Sequence, residues 1–143
     1  MISTINKILI LKFIILLLGS NVYAQSKILR GQVIDENFEP LSNAIIRIDS
    51  SSKTFETDDF GSFEINIDSD TKSIEVIIIG HKTERVFLEN KCYVNVVLIN
   101  INGIEFETKE EKEKFYSRSK NKLKKKYKKA LKSGLLKSEE NCN

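Results

Sequence analysis

Between residues 28 and 98 the apolar side chains recur mostly at every second position, which is the period of a β-strand that buries one face. Turn-forming residues interrupt this pattern about every ten residues. The pattern predicts seven short strands, at 29–33, 44–48, 53–57, 63–67, 74–78, 82–88 and 92–98. Because a parallel α/β sheet would need helices between its strands, these segments predict an all-β sandwich or barrel.

After residue 108 the alternation gives way to a helical pattern. Thr108 followed by Glu111 is a capping box, and the pair 133–134 (SG) is a typical helix stop. These signals predict one basic α-helix from about Lys109 to Lys132. The apolar side chains of this helix form a narrow stripe that could rest on the sandwich or on a partner: Tyr116, Leu123, Tyr127, Ala130 and Leu131.

The first 24 residues have the features of a cleavable signal peptide. Lys7 and Lys12 precede an apolar run at 13–18, and Ala24 ends a cleavage pattern of small residues. The apolar run is well short of the roughly 20 residues that a membrane span needs. We therefore expect a mature protein that begins near Gln25 and lies in the periplasm, at the outer membrane or outside the cell.

A length of 143 residues predicts one compact domain with extensions: a signal peptide at 1–24, a sandwich at 25–100, and a linker with a basic helical tail at 101–143. The charge is divided unevenly. Residues 25–108 carry 8 basic and 15 acidic side chains, whereas residues 109–143 carry 13 basic and 5 acidic ones. This division predicts an acidic folded body and a basic tail that makes contacts.

Four short motifs occur in order along the predicted sandwich, at 31–35 (GQVID), 39–44 (EPLSNA), 57–63 (TDDFGSF) and 79–82 (IGHK). Together they resemble the carboxypeptidase regulatory-like domain, as found at the N-terminus of TonB-dependent outer-membrane receptors of Bacteroidetes. The resemblance covers residues 28–99 and implies a seven-stranded antiparallel sandwich with transthyretin-like Greek-key topology. The structural turn positions that we assign on it are Gly31, Pro40, Gly61 and Gly80. The sequence has no receptor plug or barrel after these motifs, so we do not expect a receptor role.

The sequence departs from that family at three positions. Phe38 and Asn43 stand where the family usually has turn glycines, and His81 stands where it usually has tyrosine. Asparagine tolerates left-handed backbone, and we expect Phe38 to pack over one end of the sandwich. The segment from Asp58 to Gly61 predicts a tight hairpin.

The chain contains one histidine, His81, which is too few for a zinc peptidase and leaves a catalytic triad with a single candidate base. The enzymatic alternative, a hydrolase that uses His81 with Asp58 and Asp59, has no obvious nucleophile. The acids Asp58, Asp59 and Glu64 do not have the spacing of an EF-hand calcium loop, which favours a role in the turn. We therefore expect no catalytic residue, no metal site and no cofactor.

The two cysteines leave three interpretations open. Cys92 shares its predicted face with Val94, so the default is a buried, unreactive thiol. In an oxidising compartment Cys92 could instead pair with Cys142 and clamp the tail against the sandwich, or Cys142 could link two chains.

A lysine cluster on the predicted helix is either a solvated face or an anion-binding site. The candidate binding residues are Lys120, Lys124, Lys125, Lys128, Lys129 and Lys132. We expect a non-enzymatic envelope module that contacts a protein or glycan through the sandwich and uses the helix as a second contact. The alternative is binding of anionic lipid or another polyanion by the helix. Export argues against nucleic acid, and the oligomeric state is open.

Overall fold

The computed structural model describes residues 25–49 and 51–142, so the predicted signal peptide lies outside the described residues. This part of the chain forms two four-stranded sheets and one helix. The elements are β1 (Ser26–Asp35), β2 (Ile45–Ile48), β3 (Thr54–Glu56), β4 (Ser62–Asp68), β5 (Ser73–Ile77), β6 (Glu84–Phe87), β7 (Lys91–Leu98), α1 (Lys109–Lys132) and β8 (Glu140–Asn141).

The first sheet has the strand order β4-β1-β7-β8, and the second has the order β3-β2-β5-β6. The strands β1 and β7 run parallel, so the expected all-antiparallel arrangement is wrong at this pair. An eighth strand, β8, lies antiparallel to β7, where seven strands were expected. The periodicity could not reveal either feature, because parallel and antiparallel strands both alternate their side chains between two faces.

Side chains that alternate inward from both sheets form one hydrophobic core. Leu29 and Val33 of β1, Ile46 of β2 and Val96 of β7 are at most 1% exposed and belong to this single cluster. The architecture is therefore sandwich-like. The two-residue period predicted these inward positions correctly.

Gly31 lies in the middle of β1, which corrects its predicted role as a turn residue. A Cβ atom at this position would lie 2.5 Å from Cζ of Phe63 and would overlap the carbonyl oxygen of Val94. Glycine is therefore required here by the close approach of a ring and a backbone group.

The other three predicted turn positions lie in loops. Pro40 makes an isolated β-bridge, and Gly61 and Gly80 have left-handed φ angles of 69° and 79°. The N–H of Gly61 donates to the carbonyl of Asp58 at 2.9 Å, which closes the expected turn. This turn connects β3 of the second sheet to β4 of the first, so the prediction of a hairpin is wrong.

On the outer face of the second sheet one carboxylate joins three strands. Glu75 of β5 accepts hydrogen bonds from Arg85 of β6 at 2.6 Å and from Nε of Arg47 of β2 at 3.1 Å. The hydrogen bond from Arg85 and, to a smaller extent, that from Arg47 hold the pKa of Glu75 below its usual value of 4.5. The ionised form of Glu75 is therefore favoured by folding.

We expect this network to make the stability acid-sensitive. Because the folded-state pKa of Glu75 is lowered, its contribution is complete above the unfolded-state value near 4.5 and is lost as the pH falls through the folded-state value. Urea midpoints measured from about pH 5 down to about pH 2 should therefore fall less steeply in Glu75→Gln than in the unchanged protein. Equal slopes in the two proteins would contradict the assignment.

Candidate functional site

The helix α1 has the bounds that the sequence predicted. At its start, Oγ1 of Thr108 accepts a hydrogen bond from the N–H of Glu111 at 3.1 Å. At its end, Gly134 has a left-handed φ of 74°, and the N–H of Leu135 donates to the carbonyl of Ala130 at 3.0 Å. These bonds satisfy backbone groups that a helix leaves open at both ends. Among the described residues, no helix is long and apolar enough to cross a membrane.

The apolar stripe of α1 rests on the outer face of the first sheet. Ala130 packs with Ile34 of β1 and with Leu136, and these three side chains are at most 5% exposed. Tyr127 and Leu131 pack against this cluster. The sequence left open whether this stripe rests on the sandwich or on a partner. In the structure it rests on the sandwich.

Asn95 anchors the helix and the following segment from β7. Its side chain is buried, and Nδ2 donates to the carbonyl of Lys137 at 2.6 Å and to the hydroxyl of Tyr127 at 3.2 Å. Burial raises the pKa of Tyr127, so its neutral form is favoured at this interface. Sequence analysis did not predict that Asn95 anchors the helix, because a polar residue inside a strand has no pattern that indicates such a role.

Phe38 is a bulky residue at a position where the family resemblance implies glycine. Its φ is 67°, in the left-handed region, which costs about 1–2 kcal/mol for a residue with a Cβ. Its ring packs against the cluster of Ile34 and Ala130, and this contact offsets the backbone cost. Phe38 therefore packs beneath α1, beside the outer face of the first sheet, and not over the core between the two sheets as expected.

Cys92 of β7 and Cys142 form a disulfide with their Cα atoms 5.0 Å apart. The default interpretation of a buried free thiol is therefore wrong. Cys92 is only half-buried, and it lies where the pairing of β7 with β8 shifts register, between Lys91 and Tyr93. The N–H of Cys142 also donates to the carbonyl of Asn90 at 2.7 Å, so the end of the described chain is tied to β7.

The lysines of α1 divide into two sets. Lys120 lies 3.5 Å from a carboxylate oxygen of Glu84, and Lys126 donates to the carbonyl of Glu36 at 3.2 Å. Lys120, one of the predicted anion-binding residues, thus forms an ion pair between α1 and β6. Five other exposed lysines, which form no salt bridge to a described residue, are named the lysine face: Lys124, Lys125, Lys128, Lys129 and Lys132.

The residues of the enzymatic alternative have structural partners. His81 is half-buried and forms an isolated β-bridge with Asn100. Oδ1 of Asp58 accepts hydrogen bonds from the backbone N–H groups of Phe60 and Ser62, at 2.9 and 2.8 Å. Within the described part of the chain, no three histidine, cysteine or acidic side chains are placed to hold a metal ion.

A shallow depression of about 550 Å³ lies on the open part of the first sheet. Arg30, Gln32, Glu64 and Tyr93 contribute to its lining. Nε of Arg30 donates to Glu64 at 2.6 Å, and Nζ of Lys137 lies 4.4 Å from the ring centroid of Tyr93. The surface therefore offers hydrogen-bonding groups and an aromatic ring beside the segment that follows α1.

No protein-family profile and no curated protein matches this chain. Among solved structures it is similar to a 3-chlorocatechol 1,2-dioxygenase from Rhodococcus opacus 1CP, with 11% identity and a TM-score of 0.41 over 57% of this chain. The chain spans 62% of the length of that enzyme. A similarity at this level carries no argument about the activity of this protein.

Proposed function

We propose that this chain is an exported, non-enzymatic module of the cell envelope that binds an anionic partner through the lysine face. The observation that carries the proposal is the docking of α1. Ala130 is buried against the first sheet and Tyr127 and Leu131 pack beside it, whereas the five lysines of the lysine face are exposed on a folded support. Lysines on a fixed support lose less backbone freedom on binding than lysines on a flexible tail.

The proposal keeps the resemblance to the carboxypeptidase regulatory-like domain. The left-handed backbone at Asn43, Gly61 and Gly80 is what the turn motifs of that family favour, and it supports a transthyretin-like Greek-key sandwich. Export is supported by the signal-peptide features and by the disulfide between Cys92 and Cys142, since disulfides persist in oxidising compartments. We therefore place the protein in the periplasm, at the outer membrane or outside the cell.

The first candidate partner is an acidic protein or glycan of the envelope. The lysine face would supply a diffuse electrostatic contact, because ammonium groups act as point charges without bidentate geometry. The depression that includes Arg30, Gln32 and Tyr93 would supply a second contact, with hydrogen-bonding groups and an aromatic ring. This combination uses the sandwich and the helix together.

Binding to immobilised heparin, an acidic glycan, tests the proposal. The affinity should fall steeply between about 50 and about 200 mM salt, because binding releases counterions from a polyanion. Replacing Lys125 and Lys128 together by glutamine should weaken binding by about 30-fold, since each lysine near an anionic surface contributes about 1 kcal/mol. The matched control replaces Lys53 and Lys72, two exposed lysines outside α1, and should leave the affinity unchanged.

Salt-independent binding, or equal losses from the two double variants, would refute the lysine face as the contact. A second candidate, an anionic membrane surface, is favoured by the segment from Lys124 to Lys132, which contains no acidic residue. Flotation with phosphatidylglycerol vesicles and with phosphatidylcholine vesicles separates the two candidates. Equal flotation with both lipids would reject the membrane and leave the protein or glycan.

A further inference from the structure

A groove runs along one flank of α1, between the helix and the loop that follows β1. It consists of two neighbouring depressions of about 310 and about 200 Å³, and Lys126, which donates to the carbonyl of Glu36, lies between them. On the helix side Lys122, Lys126 and Lys129 follow at spacings of four and three residues, so they form one row. The apolar side chains that line the groove are Phe38, Ile99, Phe115, Leu123, Ala130 and Leu135.

Two residues keep apolar surface open at one end of this groove. Leu135 is 66% exposed, whereas the next residue, Leu136, is 5% exposed and packs with Ala130. Phe38 is only half-buried although it adopts a left-handed backbone. The folded chain therefore leaves an apolar patch exposed beside the ammonium groups of Lys122, Lys126 and Lys129.

We propose that this groove binds a single-chain fatty carboxylate. The acyl chain lies on the apolar lining, and the carboxylate lies between the ammonium groups of Lys126 and Lys129. One N–H of Lys126 donates to the carbonyl of Glu36 at 3.2 Å, which leaves two of its three N–H groups for the carboxylate. The one acidic residue in the lining, Glu36, accepts the N–H of Asn100 at 2.9 Å and so joins the loop after β1 to the segment after β7. Its single negative charge is outnumbered by the three lysines of the row. The charge of the groove is therefore positive and complements a carboxylate. The site goes beyond the proposed function and does not depend on it.

An acyl chain fits this groove better than a peptide does. An extended peptide would bring one N–H and one carbonyl for each residue, and all of these need partners. The lysine ammonium groups of the lining cannot accept from peptide N–H groups, so the side-chain acceptors there are limited to those of Glu36, Asn37, Ser119 and Ser133. A long extended peptide would therefore leave some of its N–H groups unpaired. The larger depression, of about 310 Å³, is at the low end of the range of about 300–1,000 Å³ for ligand pockets, which favours a small ligand with a single chain.

Calorimetric titration with dodecanoate, below the concentration at which it forms micelles, tests the site. We expect saturable binding at one site. Dodecyl maltoside, which has the same chain and no charge, should bind about tenfold more weakly because it lacks charge-assisted contacts. Butyrate, which has the head group with almost no chain, should show no measurable heat. Equal affinity for dodecanoate and dodecyl maltoside would overturn the proposal.

The decisive variant is Leu135→Glu, which places a carboxylate beside the apolar lining and should weaken dodecanoate binding by about tenfold or more through charge repulsion. Phe87→Glu is the matched control, because Phe87 is 64% exposed and lies on β6 of the second sheet. Both positions are exposed, and circular dichroism verifies that each variant is folded. Unchanged binding in Leu135→Glu, or equal losses in both variants, would overturn the proposal.

The double replacement of Lys125 and Lys128 by glutamine separates this site from the lysine face. Neither residue lines the groove, so the double variant should keep its affinity for dodecanoate while it loses affinity for heparin. Loss of dodecanoate binding in this variant would overturn the groove as the site, whatever the outcome with heparin.

Discussion

Replacing Cys142 by serine should lower the free energy of unfolding by about 4 kcal/mol, provided that the disulfide acts mainly on the unfolded chain. The disulfide joins residues that are 50 positions apart. A link across a loop of this length removes chain entropy from the unfolded state that corresponds to about 4 kcal/mol at 25 °C. Since small domains are stable by only about 5–15 kcal/mol, urea unfolding of Cys142→Ser should show a large shift of the midpoint.

The double variant Cys92→Ser with Cys142→Ser is the control for this prediction. It removes the same link, so its stability should equal that of Cys142→Ser. Hydrogen exchange should also accelerate in Cys142→Ser at Glu140 and Asn141, because β8 has only these two residues. A single variant whose stability lies within about 1 kcal/mol of the unchanged protein would contradict the entropic argument.

Local periodicity was sufficient to predict which side chains are buried and where the helix lies. We could assign Leu29, Val33 and Val96 to the core because exposing the apolar face of a strand to water is unfavourable, whatever the order of the strands in the sheet. The helix bounds followed from Thr108 and Gly134, since caps act within one turn of the backbone they satisfy. Such signals depend on neighbours in sequence and not on the rest of the fold.

The features that sequence analysis missed depend on residues that are distant in sequence. The parallel pairing of β1 with β7 leaves the alternation of both strands unchanged, so no periodicity reports it. Lys120 could not be distinguished from the other lysines, because its partner Glu84 lies on β6. The sequence contains one local indication of the groove, which is Phe38 at a position where the resemblance implies glycine. The residues that line the groove come from separate elements, so the sequence pattern could not predict that they lie together.

The pairing of the cysteines was likewise open until their positions were known. Two cysteines 50 residues apart can remain free, pair with each other or link two chains. The short strand β8 decides between these outcomes because it brings Cys142 beside β7. A two-residue strand is too short to produce a periodic pattern, so sequence analysis did not predict it.

Gly31→Val should lower the free energy of unfolding by about 3 kcal/mol, at the upper end of the usual cost of overpacking. A Cβ atom at Gly31 would overlap the carbonyl of Val94 and lie 2.5 Å from Cζ of Phe63. Neither group can move easily, because Val94 is paired with β1 and Phe63 is 7% exposed in the core. Ser26→Val, at an exposed position of the same strand, should change the stability by less than about 0.5 kcal/mol.

A double-mutant cycle separates the contribution of the ring from that of the backbone. Phe63→Leu removes the ring atoms nearest to the new side chain, so it should destabilise the protein less in the Gly31→Val background than alone. The carbonyl of Val94 remains in place, so the rescue should be incomplete. Full recovery would assign the requirement for glycine to the ring alone, whereas additive effects would show that Phe63 does not contribute to it.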